Sequence, residues 1–133
     1  MDITRMVDNV FLTKLFPDGL TDPVCLGQIL FGLQGRFYLN LNIHIKQKPS
    51  IEVDKWGEWG KDYNVIVIRL NGTCKDSAIK NWGNADYAPI SIDTRGDTLV
   101  ISQTGFDWSI ELICCCSGFI LDGFEAYYDD EAE

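Results

Sequence analysis

The sequence has a single histidine, His44, and this scarcity limits the catalytic chemistry that the protein can perform. A Ser-His-Asp or Cys-His site would have to use His44, yet no nucleophile motif surrounds any of the cysteines. The glycine-rich loops that hold phosphates or dinucleotides are absent as well. We therefore predict that the protein has no catalytic residues and is not an enzyme.

The cysteines lack the spacing of a disulfide framework or of a metal site. They are Cys25, Cys74, Cys114, Cys115 and Cys116. Neighbouring residues of a strand point to opposite faces, so the three consecutive cysteines cannot form ordinary disulfides with one another. Cys114 and Cys116 share a face, but the two-residue spacer that is usual between zinc-binding cysteines is missing. We expect reduced, mostly buried thiols, with no metal and no cofactor.

Long apolar runs are also missing from the chain. The longest reach about half of the roughly 20 residues that a membrane-spanning helix needs. The residues Met1–Arg5 include an acid and a base where a secretory signal has an apolar run. We therefore expect a cytoplasmic protein that does not bind membranes.

Positive charge is absent from the last part of the chain. The net charge is −9, and residues 106–133 contain eight acids without a lysine or arginine, whereas residues 36–48 contain three bases and no acid. Such a carboxylate field repels nucleic acid and attracts basic partners, although it can also serve solubility alone. We interpret residues 1–133 as a single domain that ends in an acidic tail at about 129–133.

What the chain does have is a succession of short apolar segments that are typical of strands. The clearest covers residues 36–47, where five apolar residues recur at every second position. The predicted strands are 25–33, 36–47, 63–70, 88–93, 98–103, 108–116 and 118–127. A short helix is predicted over residues 5–16, with Asn9 as a possible cap and Pro17 after its end. The pattern predicts a mainly β fold, an antiparallel β-sandwich or open barrel with a short N-terminal helix.

The connections between these segments predict three hairpins. The first lies around Gly35, the second around residues 94–97 and the third near Ser117 and Gly118. In addition, the pair Asn71 and Gly72 is expected to turn the chain after the apolar strand 63–70.

Residues 49–62 form the first candidate binding segment. Trp56 and Trp59 are each followed by glycine and lie among acids that include Glu52, Asp54 and Glu58. Indole rings of this kind either close one end of the core or serve as anchors for a partner. The sequence leaves both alternatives open.

The second candidate binding segment is the C-terminal part of the chain, where tyrosines alternate with acids. Its members are Asp122, Glu125, Tyr127, Tyr128, Asp129 and Asp130. Rings together with negative charge imitate the chemical character of a nucleic-acid strand. A surface of this kind could occupy the active site of a basic nuclease.

The tryptophan loop between the strands 36–47 and 63–70, with Tyr127 and Tyr128 at the end of the last strand, resembles a known family. It is similar to the small β-rich immunity proteins of bacterial polymorphic-toxin and contact-dependent growth inhibition systems, over about residues 10–128. The resemblance implies a cytosolic protein that inhibits one cognate toxin domain, often a nuclease, tightly and stoichiometrically. It implies no shared catalytic motif. From the acidic and aromatic residues we expect this toxin domain to be basic and to be covered at its active site.

Two other functions are compatible with the same residues. A small β-sandwich could bind a carbohydrate or another small ligand on Trp56 and Trp59. A hydrolase could use buried carboxylates, which requires a cleft lined by at least two acids in differing environments.

Overall fold

The computed structural model describes residues 2–32, 38–115 and 119–130, and the described residues form two short helices and seven strands. The helices are α1 (Ile3–Val7) and α2 (Val10–Leu15), and the strands are β1 (Val24–Phe31), β2 (Tyr38–Ile45), β3 (Val65–Lys80), β4 (Ser91–Arg95), β5 (Thr98–Thr104), β6 (Ser109–Cys115) and β7 (Ile120–Tyr127), with a 3-10 turn at Trp82–Asn84. The strands form one antiparallel sheet that is open and does not close into a barrel. The predicted mainly β fold is confirmed.

The helical segment is divided in two, so the prediction of one helix over residues 5–16 is wrong. Asp8 has a left-handed backbone with φ 43°, and the Asn9 side chain accepts a hydrogen bond from the Leu12 amide at 2.9 Å. A residue in this capping position has an extended backbone and begins a new helix, so α1 cannot continue through it. The predicted capping role of Asn9 is confirmed.

Strand β3 is twice as long as the sequence predicts. It continues through Asn71 and Gly72 to Lys80, so the predicted turn at this pair is wrong. Gly72 pairs with Leu39 of β2, and a Cβ atom at Gly72 would lie 2.6 Å from the Phe119 ring. The glycine therefore makes room for an aromatic ring that crosses the strand.

The long strand β3 belongs to both halves of the sheet. Its first half lies between β2 and β7, and its second half pairs with β6, which continues to β5 and β4. β6 opposes residues 74–80 of β3 and β7 opposes residues 65–71, so these two strands follow one another along β3. The predicted hairpin between 108–116 and 118–127 is therefore wrong.

The other two predicted hairpins are confirmed. β1 pairs with β2, and β4 pairs with β5 around Gly96, whose φ is 64°. The connections predicted around Gly35 and near Ser117 and Gly118 lie outside the described residues.

One core links the helices to both halves of the sheet. The alternating residues of β2 point inward as predicted, because Leu39, Leu41 and Ile43 are at most 1% exposed. The buried amide of Gln103 on β5 donates to the carbonyl oxygens of Val24, at 2.8 Å, and of Ala88, at 3.0 Å, and so ties the two halves together. None of the helices in the described ranges is long and apolar enough to cross a membrane.

Candidate binding surfaces

The two tryptophans of residues 49–62 pack against the core. The Trp56 ring contacts Phe11 at 5.9 Å and Tyr63 at 5.8 Å between ring centroids, and the Trp59 ring meets Tyr63 edge-on at 5.2 Å. Trp56 also lies 6.4 Å from the Phe124 ring of β7. Both indoles are half-buried, so they close one end of the core and do not form a flat exposed platform.

Glycine after each tryptophan allows the loop to turn twice within a few residues. Gly57 and Gly60 have φ of 86° and 87°, a region that residues with a side chain rarely adopt. The Asp62 carboxylate then accepts a hydrogen bond from the Glu58 amide at 2.7 Å. The loop is therefore held in one shape by its own backbone and by the indoles beneath it.

Part of this loop encloses a small acidic cleft. We name it the loop cleft: about 260 Å³, lined by Lys48, Pro49, Ser50, Ile51, Glu52, Glu58, Trp59 and Tyr63. Burial, and to a lesser degree the charge of Glu52, raises the pKa of Tyr63, which keeps its hydroxyl protonated. Carboxylates above aromatic rings provide the chemistry that binds a lysine or arginine side chain.

The end of β7 lies next to this loop. The Asn64 side chain donates to the Asp129 carbonyl at 3.0 Å and accepts from the Asp129 amide at 2.7 Å. Because Asn64 directly follows Tyr63, these bonds hold the start of the acidic tail close to the loop cleft. Tyr128 is 47% exposed beside it.

A second surface covers the outer face of the first half of the sheet. We name it the amide face; its members are Gln28, Asn40, Asn42, Arg69, Asn71, Asp122 and Glu125. Most of these side chains line a depression of about 400 Å³ together with Leu30. Sequence reasoning named Asp122 and Glu125 but missed the amides, although the alternation of Asn40 and Asn42 was visible in the sequence.

The structure also brings Cys25 directly opposite His44 across β1 and β2. Burial, and then the charge of Asp86, raises the pKa of Cys25, whereas burial lowers the pKa of His44. At neutral pH the pair is thus a thiol and a neutral imidazole. The His44 Nδ1 atom lies 3.1 Å from the Tyr127 hydroxyl, and His44 makes no hydrogen bond to the Cys25 thiol.

The expectation of buried thiols is confirmed for two of the four cysteines that the structure describes. Cys74 and Cys114 are buried cross-strand neighbours, while Cys25 and Cys115 are half-buried and Cys116 lies outside the described residues. In the ranges that the structure describes, no three His, Cys, Asp or Glu side chains are grouped so that they could hold a metal ion.

Five of the predicted binding residues lie on these two surfaces, whereas Trp56 packs against the core and Tyr127 contacts His44. Glu52, Glu58 and Trp59 line the loop cleft, and Asp54 lies exposed on the same loop. Asp122 and Glu125 belong to the amide face. Comparison with models of protein families, with curated proteins and with solved structures finds no match to this chain.

Proposed function

We propose that this protein is a bacterial immunity protein that acts in the cytoplasm, where it binds a cognate toxin domain, a nuclease, and covers its active site. The observation that carries the proposal is the loop cleft. There Glu52 and Glu58 border the rings of Trp59 and Tyr63 at an opening to solvent. An arginine or lysine of the toxin would lie between the carboxylates and against the rings.

The charge of the protein supports the same kind of partner. In the described part of the chain the ion pair found is Arg69 with Glu125, so Glu52 and Glu58 form no ion pair there, and they outnumber Lys48, the cation that lines the same cleft. A nuclease binds a polyanion and therefore presents lysine and arginine in its substrate groove. The net charge of −9 would steer such a groove toward this protein.

The rigidity of the loop supports tight binding. The hydrogen bond from the Glu58 amide to the Asp62 carboxylate and the packing of Trp59 on Tyr63 fix the cleft before a partner arrives. A preformed site avoids most of the ordering cost that a flexible loop would add to association.

The test uses the cognate toxin domain, which we expect to be the C-terminal domain of a large secreted protein encoded directly upstream of this chain. The double variant Glu52→Gln, Glu58→Gln should slow association of the two proteins by about tenfold at low salt, because two steering and anchoring charges are removed. For the wild type, the association rate should fall steeply between about 50 mM and about 300 mM salt. Stopped-flow tryptophan fluorescence measures both rates.

A matched control separates the cleft from total charge. The double variant Asp93→Asn, Asp97→Asn removes the same charge from exposed positions on and beside β4 and should slow association much less. An equal effect of both double variants, or an association rate that does not change with salt, would contradict the proposal that the loop cleft binds the toxin domain. A toxin domain that stays active in the presence of the wild-type protein would overturn the immunity function itself.

The structure gives the two alternative functions less support. Trp56 and Trp59 pack edge-on against Tyr63, so a sugar ring has no coplanar pair of indoles to stack on. Glu52 and Glu58 share a cleft, but both are exposed, and an acid–base pair needs two carboxyls in differing environments.

A further inference from the structure

We propose that the amide face binds an uncharged, hydroxyl-rich ligand, namely a carbohydrate. This second site lies on a different surface from the loop cleft and is independent of the immunity function. It is carried by three asparagines at interior strand positions, two of which line a depression of about 400 Å³, and by the open space above Gly123.

The asparagines lie at interior strand positions, where asparagine is uncommon. Asn40 and Asn42 lie in the middle of β2, and Asn71 pairs with Asn40 from β3. Asparagine is depleted in strands because its short amide bonds to nearby backbone and favours turns. Here the asparagines bond across strands, Asn40 to Asn71 and Asn42 to Gln28, and so form a row of amides on the outer face of the sheet.

The amides offer both donors and acceptors to a ligand. Asn42 donates to the Gln28 side chain at 3.1 Å, and Asn40 donates to the Asn71 side chain. Each primary amide has two N–H donors and one acceptor oxygen, so these bonds leave donors and acceptors unused. The Asn42 Oδ1 atom is shielded from solvent and has no hydrogen-bond partner, so a small rotation toward a ligand donor would satisfy it.

The charge of the amide face selects a neutral ligand. The Arg69 guanidinium is paired with the Glu125 carboxylate, and Asp122 adds one further negative charge. A polyanion would meet two carboxylates, and a polycation would have to compete with Arg69. Hydroxyl groups both donate and accept, as the amides do, and they carry no charge.

The position of the site on the sheet favours a sugar over an extended peptide. The backbone groups of β2 and β3 are already used by neighbouring strands, so a peptide strand can add only at a sheet edge. Over the face, a ligand meets side chains spaced about 4.8 Å across strands and roughly 6.8 Å along them. Leu30 and Ile120, 49% and 64% exposed, end the row that contains Asn40 and Asn71 and offer apolar contact to the C–H side of a sugar ring.

Gly123 leaves room for the ligand above the ion pair. It lies in β7 opposite Arg69, and a Cβ atom built there would meet nothing within 4 Å. The strand is bulged here, because Leu121 pairs with Leu70 and Gly123 with Arg69, and glycine is common beside a bulge. The missing side chain keeps the space beside Arg69 and Glu125 open.

The test is a titration followed by NMR of the backbone and side-chain amides of the wild-type protein. The probes are four neutral oligosaccharides: cellohexaose, maltohexaose, xylohexaose and N-acetylchitohexaose. We expect saturable shifts of the Asn40, Asn42 and Asn71 side-chain amides with at least one of them. The variant Asn42→Ala should weaken that binding by about tenfold, and Gly123→Leu should abolish it by filling the open space.

Two matched variants serve as controls. Asn84→Ala removes an exposed amide elsewhere, and Gly83→Leu adds a side chain at another glycine with nothing within 4 Å. Both should bind as the wild type does. The proposal is overturned if none of the sugars gives a saturable shift, if Asn42→Ala and Gly123→Leu bind normally, or if the shifts centre on the Trp56 and Trp59 indoles. Binding of an extended peptide or an acidic polysaccharide in place of the neutral sugars would overturn it as well.

Discussion

Cys74 and Cys114 face one another across β3 and β6, and burial changes their chemistry. Burial first, and then the nearby Cys74 thiol, raises the pKa of Cys114 to about 12. Burial also raises the pKa of Cys74. Because the thiolate is the reactive form, both side chains should be inert in the folded protein.

We therefore expect iodoacetamide at mildly alkaline pH to leave Cys74 and Cys114 unmodified in the native protein and to modify both in denaturant. Mass spectrometry of peptides from each sample measures the modified fraction. The half-buried Cys115 provides an internal comparison and should react earlier. Rapid native labelling of Cys114 would show that the β3–β6 pairing opens often.

His44 links stability to pH. Burial lowers the pKa of His44 from its ordinary 6.5, so the folded protein prefers the neutral ring. As pH falls through 6.5, the unfolded chain takes up the proton first, and the free energy of unfolding decreases until the folded pKa is passed. Above that range the ring is neutral in both states, and His44 adds no pH dependence.

The expected result is a loss of stability between about pH 7.5 and about pH 5.5 that is smaller in the variant His44→Gln. Urea unfolding at a series of pH values measures this difference. If His44→Gln loses stability over this pH range as the wild type does, groups other than His44 cause the loss.

At the level of elements, β3 continues past Gly72 because this glycine leaves room for the Phe119 ring. The variant Gly72→Ala places a Cβ atom 2.6 Å from that ring, and overpacking of this kind costs about 1–3 kcal/mol. Urea unfolding measures the cost. The control Gly83→Ala, where nothing lies within 4 Å, should stay within about 0.5 kcal/mol of the wild type.

The same glycine shows what the sequence can predict and what it cannot. The alternation in residues 36–47 predicts β2 correctly because a two-residue period is a local property of the strand. Asn71 and Gly72 suggest a turn locally, but their reasons are distant in sequence: the Asn40 amide and the Phe119 ring. Long-range contacts of this kind leave no periodic pattern.

The candidate sites also contain one part that the sequence predicts and one part that it does not. The acids and tryptophans of residues 49–62 are recognisable from composition alone, and the structure gathers Glu52, Glu58 and Trp59 into the loop cleft. The amide face draws on four strands, and its acids Asp122 and Glu125 join the amides only through the pairing of β7 with β3. Nothing local in the sequence predicts that pairing.

At the scale of the whole molecule, β3 makes the two halves of the sheet depend on one another. The variant Ile68→Ala, at a fully buried position, should lower the free energy of unfolding by about 2–5 kcal/mol. Because β3 is common to both halves, amide exchange should accelerate equally at the core positions of β1–β2 and of β4–β5. Hydrogen exchange with mass spectrometry measures both hairpins.

The control variant is Val10→Ala, at a position on α2 that is 72% exposed. It should change neither the amide exchange rates nor the free energy of unfolding noticeably. Faster exchange confined to β1–β2 in Ile68→Ala would show that the halves unfold separately.

The arrangement of β6 and β7 along β3 also sets the timing of folding during synthesis. Both strands come from the last quarter of the chain, after residue 108, yet together they pair with one side of β3. A nascent chain that has already left the ribosome up to β5 still lacks both of these partners of β3. Folding of the sheet must then wait for residues 109–127, and a chain truncated before β6 should depend on chaperones to avoid aggregation.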